Sequence, residues 1–107
     1  RRLILMALTE SIEYDKIEVV GIYKTIQVRK SLVIKRDGTE ISRSYNRYIL
    51  NCGTLDASNN LIDNPLDKEA DGVTAIPDEV KNICGIVWTD DVKSAYKAKL
   101  IATKSEL

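Results

Sequence analysis

The dipeptide Asp37-Gly38, set between two β-rich runs, constrains this chain more than any other feature. Asp-Gly between strand-forming segments is among the strongest short-range hairpin signals, because Gly accepts the positive φ that a tight reversal needs. Strand-like sequence runs from about 24 to 36 and returns from 39 to about 50. The hairpin also gathers charge. Residues 24–47 hold seven bases against two acids, a net of +5, whereas residues 51–107 hold ten acids against six bases, a net of −4. The whole chain is formally neutral, so overall charge gives no ground for nucleic-acid, membrane or acidic-substrate binding.

If the turn contains only Asp37 and Gly38, cross-strand partners have numbers summing to 75. Ile34 then faces Ile41, Leu32 faces Arg43, Lys30 faces Tyr45, Val28 faces Arg47 and Ile26 faces Ile49. This favoured register puts Lys30, Arg43, Tyr45 and Arg47 in the middle of one face. A one-residue slip sets Ile41, Tyr45 and Ile49 against Val33, Arg29 and Thr25 instead, and moves the charge to the other face.

At 107 residues the chain makes one domain over 1–107 with a modest core. Charged residues are 30% and hydrophobic ones 44%, which excludes a disordered chain. The segment 17–23 is β-branched and aromatic and predicts a first strand, with Gly21 marking a bulge or bend. Residues 53–74, rich in Asp, Asn and Gly, predict a long loop that Leu61, Ile62 and Leu66 pin down or turn into a short strand. Pro77, Asp78 and Glu79 suit the first turn of a helix, and Val80, Ile83, Cys84 and Val87 form its apolar stripe. Thr89 is the expected N-cap of a second helix, with Val92, Ala95, Tyr96 and Leu100 on one face. Trp88, between them, is expected to wedge both helices onto the sheet. The expected fold is α+β: an antiparallel β-meander centred on the hairpin and packed against two C-terminal helices.

No stretch is long and apolar enough for a membrane span. The only methionine, Met6, opens a plausible start at Met6-Ala7-Leu8, which makes 1–5 an upstream extension. Cys52 and Cys84 lie 32 positions apart with no histidine in the chain, so they read as small buried hydrophobes and not as zinc ligands. Asp56, Ser58, Asn60 and Asp67 match part of a calcium-loop spacing, but Leu61 stands where that loop needs Gly, so an Asx-rich turn explains them better. The pairs Asp78-Glu79 and Asp90-Asp91 sit where helix starts favour acids. No catalytic residue, metal ligand or cofactor motif emerges.

The remaining candidate is the run Arg43-Ser44-Tyr45-Asn46-Arg47-Tyr48, which interleaves cations and aromatics. Arg and Tyr are enriched at interface hot spots, so Arg43, Tyr45, Arg47 and Tyr48 read first as a protein-contact surface, pointing to a homo-oligomer. The alternative is a nucleic-acid surface built on Arg29, Lys30, Arg43 and Arg47, with cations for phosphates and rings for bases. The bland account is a solvated strand face.

The opening Met6-Ala7-Leu8-Thr9-Glu10, the run Asp15 to Gly21, the phrase VIKRDGTEISRS from Val33 to Ser44, Gly53-Thr54-Leu55-Asp56 and Val87-Trp88-Thr89 with Val92, Lys93 and Tyr96 together resemble small proteins of marine tailed phages, cyanophages in particular. The resemblance covers about Met6 to Ala102. It implies a phage source and a non-enzymatic structural or assembly role, in the virion or the host cytoplasm, with other virion proteins as further partners. That family has no assigned activity, so no functional residue is carried over.

Overall fold

The computed structural model describes residues 8–105. The order of elements is β1 (Leu8–Val20), β2 (Thr25–Arg36), β3 (Thr39–Leu50), β4 (Gly53–Leu55), β5 (Leu61–Asp63), α1 (Asp78–Val87) and α2 (Asp90–Ser105). β1, β2 and β3 form an antiparallel meander with β2 central, and β4 pairs with β5 in a separate small hairpin. The α+β class holds. The expectation that residues 1–5 are an extension lies outside the described residues.

The molecule is long. Its principal extents are 72 × 23 × 21 Å and its radius of gyration is 19.2 Å, against about 13 Å for a compact chain of this length. The cause is the meander, whose strands of 12 and 13 residues each run about 40 Å at roughly 3.3 Å per residue. The β4–β5 hairpin and both helices gather at one end, here the head. The other end of the sheet projects as an arm.

Asp37 (φ 51°) and Gly38 (φ 83°) are both left-handed, the type I′ signature the dipeptide predicts. The register beyond the turn is not the favoured one. Lys35 faces Glu40 and Arg36 faces Thr39, but Ile41 is then skipped, and Ile34 faces Ser42, Leu32 Ser44, Lys30 Asn46, Val28 Tyr48 and Ile26 Leu50. Neither the favoured register nor the considered slip survives. Hydrophobic patterning overrides the turn: the bulge at Ile41 brings Tyr48 and Leu50 onto the face of Ile26 and Val28 and sends Arg47 and Ile49 to the other.

β1 also differs from expectation. It begins at Leu8 and ends at Val20, and Gly21 to Lys24 form a turn in which the Lys24 amide donates to the Gly21 carbonyl at 3.3 Å. Gly21 (φ 77°) serves that turn and no bulge. The bulge lies at Asp15, skipped between the pairs Tyr14–Lys30 and Lys16–Arg29. Within the expected long loop, Leu61 to Asp63 pair with Gly53 to Leu55. Gly53 is required there, since a Cβ would meet the Ile62 carbonyl oxygen at 2.4 Å.

The core sits at the head, on one face of the meander. Ile26, Val28, Tyr48 and Leu50 pack with Cys52, Ile76, Val80, Cys84, Trp88 and Tyr96. Each large apolar side chain buried this way contributes about 1.5–3 kcal/mol. Pro77 stands one position before α1, as its N-cap, and leaves that helix start without a side-chain hydrogen bond. Thr89 caps α2 as expected, its Oγ1 accepting from the Val92 amide at 3.3 Å. Trp88 is buried, and its Nε1 donates to the Lys24 carbonyl at 2.7 Å, tying the helix junction to the β1–β2 turn. Both cysteines are buried and free, and burial pushes the Cys84 thiol up to about 11.

Candidate interaction surface of the β-arm

The observed register sorts side chains onto two faces. The core face carries Glu10, Ile12, Tyr14, Ile17 and Val19 of β1, the even-numbered residues of β2, and Ser42, Ser44, Asn46, Tyr48 and Leu50 of β3. The outer face carries Ser11, Glu13, Lys16 and Glu18, then Gln27, Arg29, Ser31 and Val33, then Arg43, Tyr45, Arg47 and Ile49.

The predicted contact residues therefore divide. Arg43, Tyr45 and Arg47 share the outer face, but Tyr48 points the other way and is 8% exposed in the core. Its parity is opposite to theirs, and its ring fills the head. The alternative set divides too: Arg29, Arg43 and Arg47 lie on the outer face and Lys30 on the core face.

On the outer face the cations are largely matched. Arg29 grips Asp15 with two hydrogen bonds, Nε to Oδ1 at 3.1 Å and Nη2 to Oδ2 at 2.8 Å. Its guanidinium also lies 4.5 Å from the centre of the Tyr45 ring. Arg43 grips Glu40 at 3.0 and 2.8 Å and reaches across β2 to Glu13 at 3.0 Å. Arg29 holds the Asp15 carboxyl below the usual carboxylate range, and Arg43 does the same to Glu40. These long side chains roof the central strand. Val33 and Ser31 have no exposed surface, although no helix covers this face. Counting β1 with the hairpin, the meander 8–50 carries eight bases and six acids, a net of +2. The strong positive pole of the hairpin is thus mostly offset by its own neighbour strand, which weakens the case for phosphate binding.

Arg47 and Glu10 differ from these residues. Both are exposed, and neither has an ion pair among the described residues. The meander also exposes large apolar side chains: Leu8 58%, Ile12 52%, Ile41 50% and Tyr45 50%, and, on the outer face at the head end, Ile49 60%.

On the core face, where head meets arm, Glu69 is the residue sequence reasoning missed. It sits in the chain between β5 and α1 and is 5% exposed. Its carboxylate accepts from Tyr14 Oη at 2.9 Å, from Tyr48 Oη at 2.8 Å and from Lys30 Nζ at 2.5 Å. Burial, then the adjacent carboxylate, pushes both tyrosines up, and contact with Glu69 raises Lys30. The segment between β5 and α1, residues 64–77, is a strap and Glu69 its buckle: one buried acid binds it to all three strands of the meander. No local pattern marks Glu69 among Asp67, Lys68 and Asp71. Tyr14 was within reach, since Ile12 and Tyr14 already alternate with polar residues.

The predicted Asx turn is present, with Asp56 Oδ1 accepting from the Ser58 and Asn60 amides at 2.8 and 2.9 Å. No helix among the described residues is long and apolar enough to cross a membrane. Comparison with protein-family models, with curated proteins and with solved structures found no match.

Proposed function

We propose that this protein is a non-enzymatic structural or assembly component that self-associates through its β-arm, in keeping with the resemblance to tailed-phage proteins. The observation that carries this reading is the arm itself. A chain that spends strands of 13, 12 and 12 residues on one long sheet, projecting beyond the head at one end, uncovered on its outer face and apolar at several exposed positions, has built contact surface at the expense of its own core. Arg43, Tyr45 and Arg47 belong to that surface and Tyr48 does not. Phosphate binding by the same arginines has less support, because Arg29 and Arg43 already hold carboxylates.

The test is the solution mass of the unaltered protein by sedimentation or light scattering. A species of at least two 12.0 kDa chains in the micromolar range is expected. The double substitution Tyr45→Ala, Arg47→Ala should reduce that species to monomer with an unchanged circular-dichroism spectrum. An unaltered protein that remains monomeric throughout that range overturns the reading.

A further inference from the structure

We infer that copies of this chain join edge to edge, β3 of one pairing antiparallel with β1 of the next. This inference rests on the self-association reading and specifies its contact. β1 and β3 are the two edges of the meander, each pairing only with β2 among the described residues, and exposed edges of that length are templates for a further strand. The edges differ in charge. β1 carries four acids and one base, and β3 carries two bases and one acid. Unlike edges favour a β1–β3 contact over a two-fold contact of β3 with itself, which would bring Arg43 and Arg47 near their own copies.

Geometry selects the orientation. A second copy laid parallel would place its head three strands away, about 14 Å at roughly 4.8 Å per strand. The molecule is 21–23 Å across, so the heads would collide. Laid antiparallel, the second copy is turned over and its head goes to the opposite end. Its core face then continues the outer face of the first. Odd-numbered residues of β3 therefore meet even-numbered residues of β1.

One register uses the exposed groups of the two edge strands best. With Arg47 opposite Glu10 of the second copy, the two charges of β1 and β3 that lack an ion pair among the described residues meet each other. In the same register Ile49 faces Leu8 and Tyr45 faces Ile12, so four of the exposed apolar side chains become two cross-strand pairs. Arg43 faces Tyr14. The bulges agree as well: Asp15 of β1 and Ile41 of β3 are the skipped residues, and this register brings them to the same end of the new ladder, where bulges terminate pairing. Because the contact joins unlike edges, each added copy presents a fresh edge, and the assembly extends instead of closing as a dimer.

Charge reversal tests the pairing. Glu10→Lys sets two cations against each other and should weaken association at least about tenfold, as should Arg47→Glu. An equimolar mixture of the two variants should re-associate, because each restores the other's opposite charge. Sedimentation reads all three samples, and circular dichroism checks that each is folded. If the unaltered protein is an oligomer but Glu10→Lys leaves its mass unchanged, or the mixture stays dissociated, self-association stands and this edge pairing falls. A monomeric unaltered protein removes both.

Discussion

The two ends of one β-meander solve the same problem differently. At the head, the core face is closed by α1, α2 and the strap, and the sheet's apolar residues touch other apolar residues. In the arm, Val33 is as fully buried as Val28, but what covers it is a lattice of long charged side chains lying flat on the sheet. Each end also has its own arrangement of charge. The head places one acid, Glu69, where water is excluded and surrounds it with three donors. The arm spreads Glu13, Asp15 and Glu40 over an exposed face, each held by an arginine. A strand can therefore reach full burial without a packed second layer, but the stability gained depends on what does the covering.

Substitution at the buckle should produce the largest difference between the two ends. Glu69→Ala leaves a half-buried ammonium and two tyrosine hydroxyls without their acceptor. Removing one partner of a buried, hydrogen-bonded charge costs about 3–5 kcal/mol, so urea denaturation should show a loss near the lower figure, since Lys30 keeps some access to water. A loss below about 1 kcal/mol would mean that Leu66 and Ile76 hold the strap without the ion pair.

A matched pair of valines gives the next effect. Val28→Ala opens space inside the packed head and should cost about 2–3 kcal/mol from lost transfer energy plus a cavity. Val33→Ala lies under flexible arms that can settle into the gap, so about 1.5 kcal/mol is expected, little more than the transfer energy of two methyl-sized groups. Equal losses from the two would refute the distinction between a packed cover and a draped one.

The same contrast explains what could be read from the residues alone. Features set by neighbours along the chain were legible: the Asp37-Gly38 reversal, the Val80–Cys84 stripe, the Thr89 cap and the anchoring of Trp88. Those set by distant partners were not. The favoured register assumed an unbroken ladder, and Ile41 has nothing in its sequence that marks a bulge. It is skipped because Tyr48 and Leu50 have to reach the head. The start of β1 was missed for a related reason. Leu8, Glu10, Ile12 and Tyr14 alternate at even positions, but the bulge at Asp15 moves the pattern to the odd positions of Ile17 and Val19, so no single alternation runs through the strand. The mixed assignment of Arg43, Tyr45, Arg47 and Tyr48 to one surface followed from counting cations and rings without parity.

The smallest effect separates the ends most finely, because it concerns only how each holds its acids. Asp71, in the strap, accepts from the Val73 and Thr74 amides and from the Thr74 hydroxyl, and these donors hold its carboxyl down to about 2. A folded-state value below the ordinary 3.8 means that the contribution is present at neutral pH and is lost as pH falls through about 2. Asp15 and Glu40 are lowered in the same direction, but by arginines. The donors at Asp71 are neutral, and those in the arm are charged. Raising the salt to about 1 M shortens the screening length to roughly 3 Å, which weakens the arm's exposed ion pairs and leaves hydrogen bonds to amides nearly untouched. Carboxyl titrations followed by NMR should therefore show Asp15 and Glu40 moving back toward ordinary values in high salt while Asp71 stays near about 2. If all three move together, the strap depends on charge as much as the arm does, through Lys30, and the two ends share one electrostatic mechanism.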